Sequence, residues 1–327
     1  MKNILIVRLT ALGDIIHSAI VLEFIKREKP EIEIDWLVEK SFSSILENNP
    51  NIRNIYPINL KSLKKDRSWK NISSIYSQLK DISKNRYDLI IDMQGLIKSS
   101  IVSRIISKNI HGYSFNSGKE GISSFLYKTK TFSDYSENKI LRNMQLINDA
   151  LDLDISEKDI LKKTPHLFFK DSIFSADGKT LFVIGSSMVQ KNYPKEKFLE
   201  LAEKMNCELS IIWGNLEEKQ IGEWLVEKNE NISLAPKMNL DQLKHYISTA
   251  KVLVGNDTGP THLAWAMNTP SIMLFGLTPV EQALETDINL IIKSDSPVNH
   301  KKIDKTDFSI KDIKVSAILE KYKILFP

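Results

Sequence analysis

Short apolar runs alternate along this chain with longer stretches in which apolar residues recur at helical spacing. Such alternation is typical of α/β folds built on parallel sheets. In the first half, the pattern predicts strands at 4–9, 32–38, 52–57 and 88–93, and helices at 15–26, 69–83 and 136–151. In the second half, it predicts strands at 180–184, 209–213, 232–234, 252–255 and 272–275, again with helices between them.

A polar stretch without a helical or strand period, residues 154–165, separates the two halves and predicts a linker. The length of 327 residues fits two domains of about 150 residues each. We therefore expect an α/β protein with one Rossmann-like domain over 1–160 and a second over 161–308, facing each other across a cleft. The apolar period near the end of the chain predicts a terminal helix within 309–327 that packs back across the interface.

Composition narrows the class of protein. Hydrophobic residues make up 42% of the chain and charged residues 26%, which is ordinary for a globular protein. Cys207 is the only cysteine, so no internal disulfide can form, and no Cys/His cluster predicts a zinc site. Arg8 breaks the first apolar run, which favours a strand over a signal peptide, and no stretch approaches the roughly 20 apolar residues of a transmembrane helix. A soluble or peripheral protein of a reducing cytoplasm is expected.

The net charge of +4 is small, but basic residues gather in one segment that contains a single acid, Asp66. They are Lys61, Lys64, Lys65, Arg67 and Lys70. One interpretation is a solvated loop. The other is a docking surface for phosphates or anionic lipid, to which each Lys or Arg near a membrane contributes about 1 kcal/mol.

The first candidate site follows the first predicted strand, where Gly13 and Asp14 open a helix. Open α/β sheets bind ligands in the crevice at the carboxyl ends of their strands. Asp14 is therefore either a helix cap, for which Asp is favoured, or a catalytic base. This loop contains no G-x-G-x-x-G pattern, so a dinucleotide oxidoreductase lacks its main signal.

The second candidate site is the turn at 255–262, between a predicted strand and an apolar helix. A helix start beside Gly259 offers free N–H groups and a positive dipole end, which suit a pyrophosphate. Asp257 suits sugar hydroxyls better than phosphate. Asp257 or Thr258 could instead cap the helix, and the binding and capping interpretations can hold together.

The third candidate site follows the strand at 180–184, where Ser186, Ser187 and Lys191 could bind a diphosphate and offset charge on a leaving group. An ordinary surface loop is equally plausible for this segment taken alone. Glu217 and Glu218 also follow a strand, and a carboxylate there could hold ribose hydroxyls. The D-x-D pattern at 152–154, by which some glycosyltransferases hold a metal, falls at a helix end by the linker and is interpreted as a chance match.

Taken together, these motifs resemble the bacterial lipopolysaccharide heptosyltransferases, and the resemblance covers nearly the whole chain. The matching segments are I-L-I-V-R-x-x-x-L-G-D-x-x-H over 4–17, D-M-Q-G-L-I-K-S over 92–99, G-S-S-x-x-x-K over 185–191, W-G at 213–214, P-K-M over 236–238 and D-T-G-P-T-H over 257–262. Each motif alone is weak, but the set in this order is specific. The element at 92–99 resembles the member that adds the first heptose rather than the member that adds the second.

The resemblance implies a GT-B architecture, with the acceptor site in the first domain, the donor site in the second, and neither metal nor cofactor. It implies an inverting transfer from ADP-L-glycero-β-D-manno-heptose to a Kdo residue of Kdo-lipid A, in the synthesis of the lipopolysaccharide inner core. Such an enzyme would be cytoplasmic and peripheral on the cytoplasmic face of the bacterial inner membrane. Nucleic acid is not an expected partner.

The resemblance also assigns roles to residues. Asp14 matches the family's general base, and Lys191, which we group with it as catalytic, matches a diphosphate contact. The donor set is Ser186, Ser187 and Lys191 at the diphosphate, Glu218 at the ribose, Met238 at the adenine and Asp257 at the heptose, with Thr258, Gly259 and His262 beside it. The acceptor set is Gly13, Lys61, Lys64, Lys98 and Lys119.

The chain departs from its relatives at two places. Serines at 186 and 187 replace threonines and keep the hydroxyls. Around the basic segment the relatives are richer in arginine, whereas this chain has mainly lysines, such as Lys61 and Lys64, which lack the bidentate fork. Two alternatives stay open: the heptosyltransferase that adds the second heptose, and a non-catalytic module that binds a nucleotide sugar.

Overall fold

The computed structural model describes residues 1–170, 172–300 and 302–327. Its chain forms two compact units, Met1–Phe168 and Phe169–Pro327. Each unit contains a parallel sheet of six strands with helices between them. The prediction of two Rossmann-like α/β domains is thereby confirmed. Within the described ranges, no helix has the length and apolar character needed to cross a membrane.

The first unit carries its sheet in the order β3-β2-β1-β4-β5-β6. Its strands are β1 (Asn3–Val7), β2 (Glu33–Glu39), β3 (Asn54–Ile58), β4 (Leu89–Asp92), β5 (Ile110–Tyr113) and β6 (Thr129–Thr131). Its helices are α1 (Leu12–Ala19), α2 (Val21–Glu28), α3 (Trp69–Ser83), α4 (Ile97–Ile106), α5 (Lys139–Leu151) and α6 (Glu157–Leu161). Short 3₁₀ helices cover Lys40–Ile45, Leu60–Lys64 and Gly121–Leu126.

The second unit repeats this arrangement in the order β12-β11-β10-β7-β8-β9. Its strands are β7 (Thr180–Val183), β8 (Leu209–Ile212), β9 (Ile232–Leu234), β10 (Val252–Asn256), β11 (Ser271–Phe275) and β12 (Asn289–Lys293). Its helices are α7 (Lys195–Met205), α8 (Leu216–Lys228), α9 (Leu240–Ser248), α10 (Gly259–Ala266) and α11 (Val315–Leu325). The 3₁₀ helices here are Val189–Lys191, Val280–Gln282 and Ser309–Asp312.

Both sheets reverse their winding direction at one point. In the first sheet β1 lies between β2 and β4, and in the second β7 lies between β8 and β10. The reversal leaves a crevice at the carboxyl ends of β1 and β4, and another at those of β7 and β10, and such crevices are where open sheets bind ligands. Strands β10 and β11 are buried throughout, which explains why they appear as continuous apolar runs.

The nine predicted strands are all present, and the predicted helix at 69–83 coincides with α3. The predicted helix at 15–26 is two helices, α1 and α2, and the predicted terminal helix starts only at Val315. The terminal helix packs on α7, β11 and β12 of its own unit. That this helix packs across an interface stays a prediction. The division of the chain after residue 160 into an acceptor domain and a donor domain also stays a prediction.

Candidate active site

Asp14 lies in the first turn of α1, directly after the buried strand β1. Its Oδ2 accepts a hydrogen bond of 3.2 Å from the backbone N–H of Ala11. The carboxylate therefore helps to cap the helix, as the capping interpretation predicted. Its other contacts, however, are not those of a simple cap.

Two cations hold the Asp14 carboxylate. Arg8 Nη2 lies 3.0 Å from Oδ2, and Lys139 Nζ lies 2.5 Å from Oδ1. Burial raises the pKa of Asp14, but the charges of Lys139 and Arg8 outweigh it and hold this pKa well below its usual range. Asp14 is therefore ionised in the free protein, as an acceptor of protons must be.

The motif at 92–99 builds a loop beside Asp14. The Asp92 carboxylate is fully buried and accepts hydrogen bonds from the N–H groups of Gln94 (2.9 Å) and Gly95 (3.2 Å). It also accepts from Ser99 Oγ (2.8 Å) and from the Tyr127 hydroxyl (2.7 Å). Burial raises the pKa of Asp92, and these hydrogen bonds oppose the shift. Asp92 and Ser99 therefore shape the loop from within.

Gln94 connects this loop to the one that carries Asp14. Its Oε1 accepts hydrogen bonds from the N–H groups of Leu9 (3.0 Å) and Thr10 (2.9 Å). Lys98 Nζ lies 3.5 Å from Thr10 Oγ1. The structure thus brings Lys98, a predicted acceptor residue, to the Asp14 loop. Gln94, for which the motif at 92–99 predicted no role, holds the two loops in register.

Lys119 is exposed in the segment between β5 and the 3₁₀ helix at 121–126. Glu120 anchors this segment, since its carboxylate accepts a 2.8 Å hydrogen bond from Ile97 N at the start of α4. A Cβ on Gly118 would lie 3.6 Å from the carbonyl oxygen of Gly95. Lys119 is therefore placed beside the loop after β4, and Gly13 precedes Asp14 in the first turn of α1. Their acceptor roles stay predictions.

Lys61 and Lys64 lie elsewhere on the same edge of the sheet, in the 3₁₀ helix after β3. Lys61 Nζ is 2.9 Å from Ser41 Oγ and 4.3 Å from the centre of the Phe42 ring. Lys64 is exposed. Strand β2 separates β3 from β1, so the fold does not group these two lysines with the Asp14 loop.

Asp257 is the centre of the site in the second unit. It follows β10, is 5% exposed, and its Oδ2 accepts from Lys191 Nζ (2.7 Å) and Thr278 Oγ1 (2.8 Å). Its Oδ1 lies 2.9 Å from His262 Nε2. Burial raises the pKa of Asp257, but Lys191 and His262 hold it well below its usual range. In the free protein these three side chains hold the carboxylate, and the Thr258 side chain makes no capping hydrogen bond to α10.

Lys191 closes the loop that leaves β7. Its side chain is 13% exposed, and its ammonium is neutralised by Asp257. Ser186 Oγ donates to the Met188 carbonyl at 2.7 Å, which shapes the loop, whereas Ser187 is exposed to solvent. Of the two serines, Ser187 is therefore the more exposed, and the diphosphate roles of both stay predictions.

Glu218 lies in the first turn of α8, at the adjoining strand end. Its Oε2 accepts from Gly214 N at 2.6 Å, and its Oε1 accepts from Asn215 Nδ2 at 2.8 Å. A Cβ on Gly185 would lie 2.2 Å from Glu218 Oε1. A glycine at 185 therefore makes room for this carboxylate beside the loop after β7.

Met238 is half-buried in the loop between β9 and α9. This loop is tied to the one after β8, because Trp213 Nε1 donates to the Ala235 carbonyl (2.8 Å) and Lys237 Nζ donates to that of Gly214 (2.7 Å). The predicted donor residues therefore lie in the loops at the carboxyl ends of β7, β8, β9 and β10, and Gly259 opens α10 among them.

Sequence reasoning missed three contacts that shape these sites. Lys139 is 125 residues from Asp14 and Thr278 is 21 residues from Asp257, so no local motif relates them. Gly185 was seen as part of a motif but not as the neighbour of Glu218.

In the described part of the chain, no group of three or more His, Cys, Asp or Glu side chains is placed to hold a metal ion. Asp152 ends α5 in a left-handed conformation, as expected for a residue at a helix end.

The sequence model that represents glycosyltransferase family 9, the heptosyltransferases, matches residues 75–306 of this chain. The lipopolysaccharide heptosyltransferase 1 of Campylobacter coli is 38% identical over 99% of this chain and 99% of its own length. That of Pseudomonas aeruginosa is 29% identical over 84% of this chain and 79% of its own. A solved structure of the E. coli heptosyltransferase WaaC with ADP-2-deoxy-2-fluoro heptose is similar in fold, with a TM-score of 0.81, 20% identity, and coverage of 98% of this chain and 99% of that one.

Proposed function

Since this chain belongs to glycosyltransferase family 9, the heptosyltransferases, we propose that it transfers L-glycero-D-manno-heptose from ADP-heptose to a Kdo residue of Kdo-lipid A, with inversion. Several relatives carry the name lipopolysaccharide heptosyltransferase 1, and the similar WaaC structure contains an ADP-heptose analogue. The single observation that carries the proposal is the Asp14 carboxylate at the switch point of the first sheet, where it pairs with Arg8 and Lys139.

In the proposed reaction, a hydroxyl of the acceptor sugar gives its proton to Asp14 as its oxygen attacks the anomeric carbon of the donor. The bond between that carbon and the diphosphate oxygen breaks, and its electron pair leaves with ADP. The proton passes from Asp14 to solvent after the transfer. Attack opposite to the leaving group inverts the anomeric configuration.

The loops of the second unit suit the leaving group. Lys191, Ser187 and the start of α10 would stabilise the charge that develops on the diphosphate. Asp257 would accept hydrogen bonds from heptose hydroxyls, while Glu218 would meet the ribose and Met238 the adenine. In the free protein Lys191 is paired with Asp257, so donor binding would require the lysine to share its charge with the diphosphate.

A panel of donors and acceptors tests this proposal. We expect ADP-heptose and Kdo-lipid A to give a product heavier by one heptose in mass spectrometry. An acceptor that already carries the first heptose should give none, because the motif at 92–99 resembles the enzyme that acts first. If the protein transferred heptose only to the heptosylated acceptor, it would be the enzyme that adds the second heptose. If it bound ADP-heptose without transferring the sugar, it would be a non-catalytic module.

The acyl chains of the acceptor would stay in the membrane, so the proposal includes peripheral binding to the cytoplasmic face of the inner membrane. The first unit offers two supports. One is the basic segment, whose five cations are exposed: Lys61, Lys64, Lys65, Arg67 and Lys70. The other is an apolar surface that follows directly on it.

This apolar surface begins on the outer face of α3. Trp69 is 85% exposed, and Ile72 and Tyr76 follow it at intervals of three and four residues, which places all three on one face. α3 packs against α4, which packs against the 3₁₀ helix that carries Phe125, itself 75% exposed. Exposed aromatic and aliphatic side chains beside lysines and arginines are the composition of surfaces that lie in a membrane interface.

Replacing Lys61, Lys64 and Lys65 with alanine should raise the KM for acceptor embedded in anionic vesicles and leave the affinity for ADP unchanged. The effect should shrink as salt rises, since exposed charges are screened beyond about 8 Å at physiological ionic strength. The matched control replaces three exposed lysines of the same unit outside this segment, Lys84, Lys158 and Lys162. Equal behaviour of the two triple variants at low salt would mean that the basic segment is an ordinary solvated loop.

A further inference from the structure

The two oxygens of Asp14 are held differently. Oδ2 receives Arg8 and the N–H of Ala11, and the Arg8 side chain is only 7% exposed. Oδ1 receives Lys139, and both Asp14 and Lys139 are 23% exposed. Oδ2 is therefore fixed from inside the protein, while Oδ1 is covered by a lysine that a ligand can reach.

The surroundings of Asp14 carry more positive charge than this carboxylate needs. Lys98 lies at the Asp14 loop, and the Arg142 guanidinium lies between the rings of Tyr113 (5.0 Å) and Tyr135 (4.9 Å). The charges of Asp14, Arg8 and Arg142 act on both tyrosines, and that of Asp92 acts on Tyr113, so these groups adjoin the same place. The four cations here, Arg8, Lys98, Lys139 and Arg142, outnumber the two carboxylates, Asp14 and Asp92. An excess of cations at a partly exposed site favours an anionic ligand.

We propose that Lys139, with Lys98, forms a subsite for the carboxylate of the acceptor sugar, and that the bound carboxylate draws Lys139 away from Asp14 Oδ1. The inference rests on the proposed function, in which the acceptor is Kdo, an ulosonic acid with a carboxylate beside its anomeric carbon. Oδ1 is then left open for the proton of the acceptor hydroxyl, while Arg8 and Ala11 keep the carboxylate in place through Oδ2.

This exchange changes the strength of the base. Burial favours a higher pKa for Asp14, and Lys139 and Arg8 depress it in the free protein. When a second carboxylate shares Lys139, the charge around Asp14 becomes less positive and the pKa of Asp14 rises. Asp14 therefore becomes an effective base only when an acidic acceptor is present, and a water molecule in its place meets a weak base. The subsite selects acceptors and limits hydrolysis of the donor.

The test compares two deacylated acceptors, one with the free Kdo carboxylate and one with this group as its methyl ester, in the wild-type protein and in Lys139→Met, Lys139→Arg and Lys84→Met. In the wild type, esterification should raise the acceptor KM at least about tenfold, as expected for the loss of a charge-assisted contact. Lys139→Met should raise the KM of the free acid to a similar extent and respond little to the ester. Lys139→Arg keeps the cation and should keep the discrimination.

Lys84 pairs with Asp81 at 2.7 Å on the surface of the same unit and provides the matched control, which should behave as the wild type. The pH profile adds a second readout. Asp14 must be ionised to act, and Lys139→Met removes a cation that favours ionisation, so the acid limb of kcat/KM should move to higher pH. Because Lys139 lowers the pKa of Asp14 in the free protein, this shift reports the contact between the two residues. The loss of discrimination between free acid and methyl ester is the readout that a merely structural lysine would not move.

The outcomes separate the inference from the proposed function. If the wild type used both acceptors equally well, or if Lys139→Met still discriminated between them while folded, the subsite would be wrong and the proposed transfer would stand. If the wild type transferred heptose to neither acceptor, the proposed function would be wrong and the subsite would fall with it.

Discussion

Asp14→Asn should lower the turnover of heptose transfer by at least about 100-fold, the usual contribution of a general base. Asparagine has nearly the same shape and can still accept the hydrogen bond from Ala11 N, so the start of α1 is kept. What is lost is the proton acceptor and the partner of two cations. Steady-state kinetics with saturating donor and acceptor measures the effect, and calorimetry with ADP should show nearly unchanged affinity.

The variant leaves Arg8 and Lys139 without their carboxylate, so its melting temperature should fall, and activity is best compared well below it. Asp14→Ala serves as the control that removes both the cap and the base. A variant Asp14→Asn with more than half of the wild-type turnover would reduce Asp14 to a helix cap.

Lys191→Ala should weaken ADP binding and transfer together, by about 2–3 kcal/mol or roughly 30- to 150-fold, because a charge-assisted contact to the diphosphate is lost. The structure adds a complication, since Asp257 is buried and loses its ammonium partner at 2.7 Å. Part of any loss could then come from a buried, unpaired carboxylate. Calorimetry with ADP and thermal unfolding, measured side by side, distinguish the two effects.

The double variant Lys191→Ala, Asp257→Asn removes both charges of the pair. We expect it to recover much of the lost melting temperature and none of the ADP affinity. Recovery of ADP affinity in the double variant would show that Lys191 serves only to neutralise Asp257, and would remove it from the diphosphate site.

The sequence predicts every central strand around the two switch points, and the edge strands β3 and β9 as well. The three strands that it misses, β5, β6 and β12, lie at or next to an edge of their sheet. Central strands of a parallel sheet are buried on both faces and form apolar runs. β5 and β6 do not, because His111 pairs with Thr129 and Thr131 through hydrogen bonds of 2.8 and 2.9 Å. β12 begins and ends on polar residues, Asn289 and Lys293, and its apolar centre is too short to stand out.

The candidate sites follow a similar division. A parallel sheet places the loops after its strands at one edge, so motifs after predicted strands could be grouped from the sequence. The partners that set the charge of each carboxylate could not, because they come from distant helices and loops. The sequence left a cap and a base as alternatives for Asp14, and the structure shows that the two oxygens allow both, since the cap uses only Oδ2.

The network around Asp92 bears on how acceptor preference could be redesigned. The segment at 92–99 resembles that of the enzyme that adds the first heptose. Within it, the side chains of Asp92, Gln94 and Ser99 form hydrogen bonds to other groups of the protein. Exchanging the whole segment for that of another member would therefore rebuild a scaffold as well as a recognition surface. Swaps limited to Lys98 and Lys119, the predicted acceptor residues, would change only exposed side chains and leave this scaffold intact.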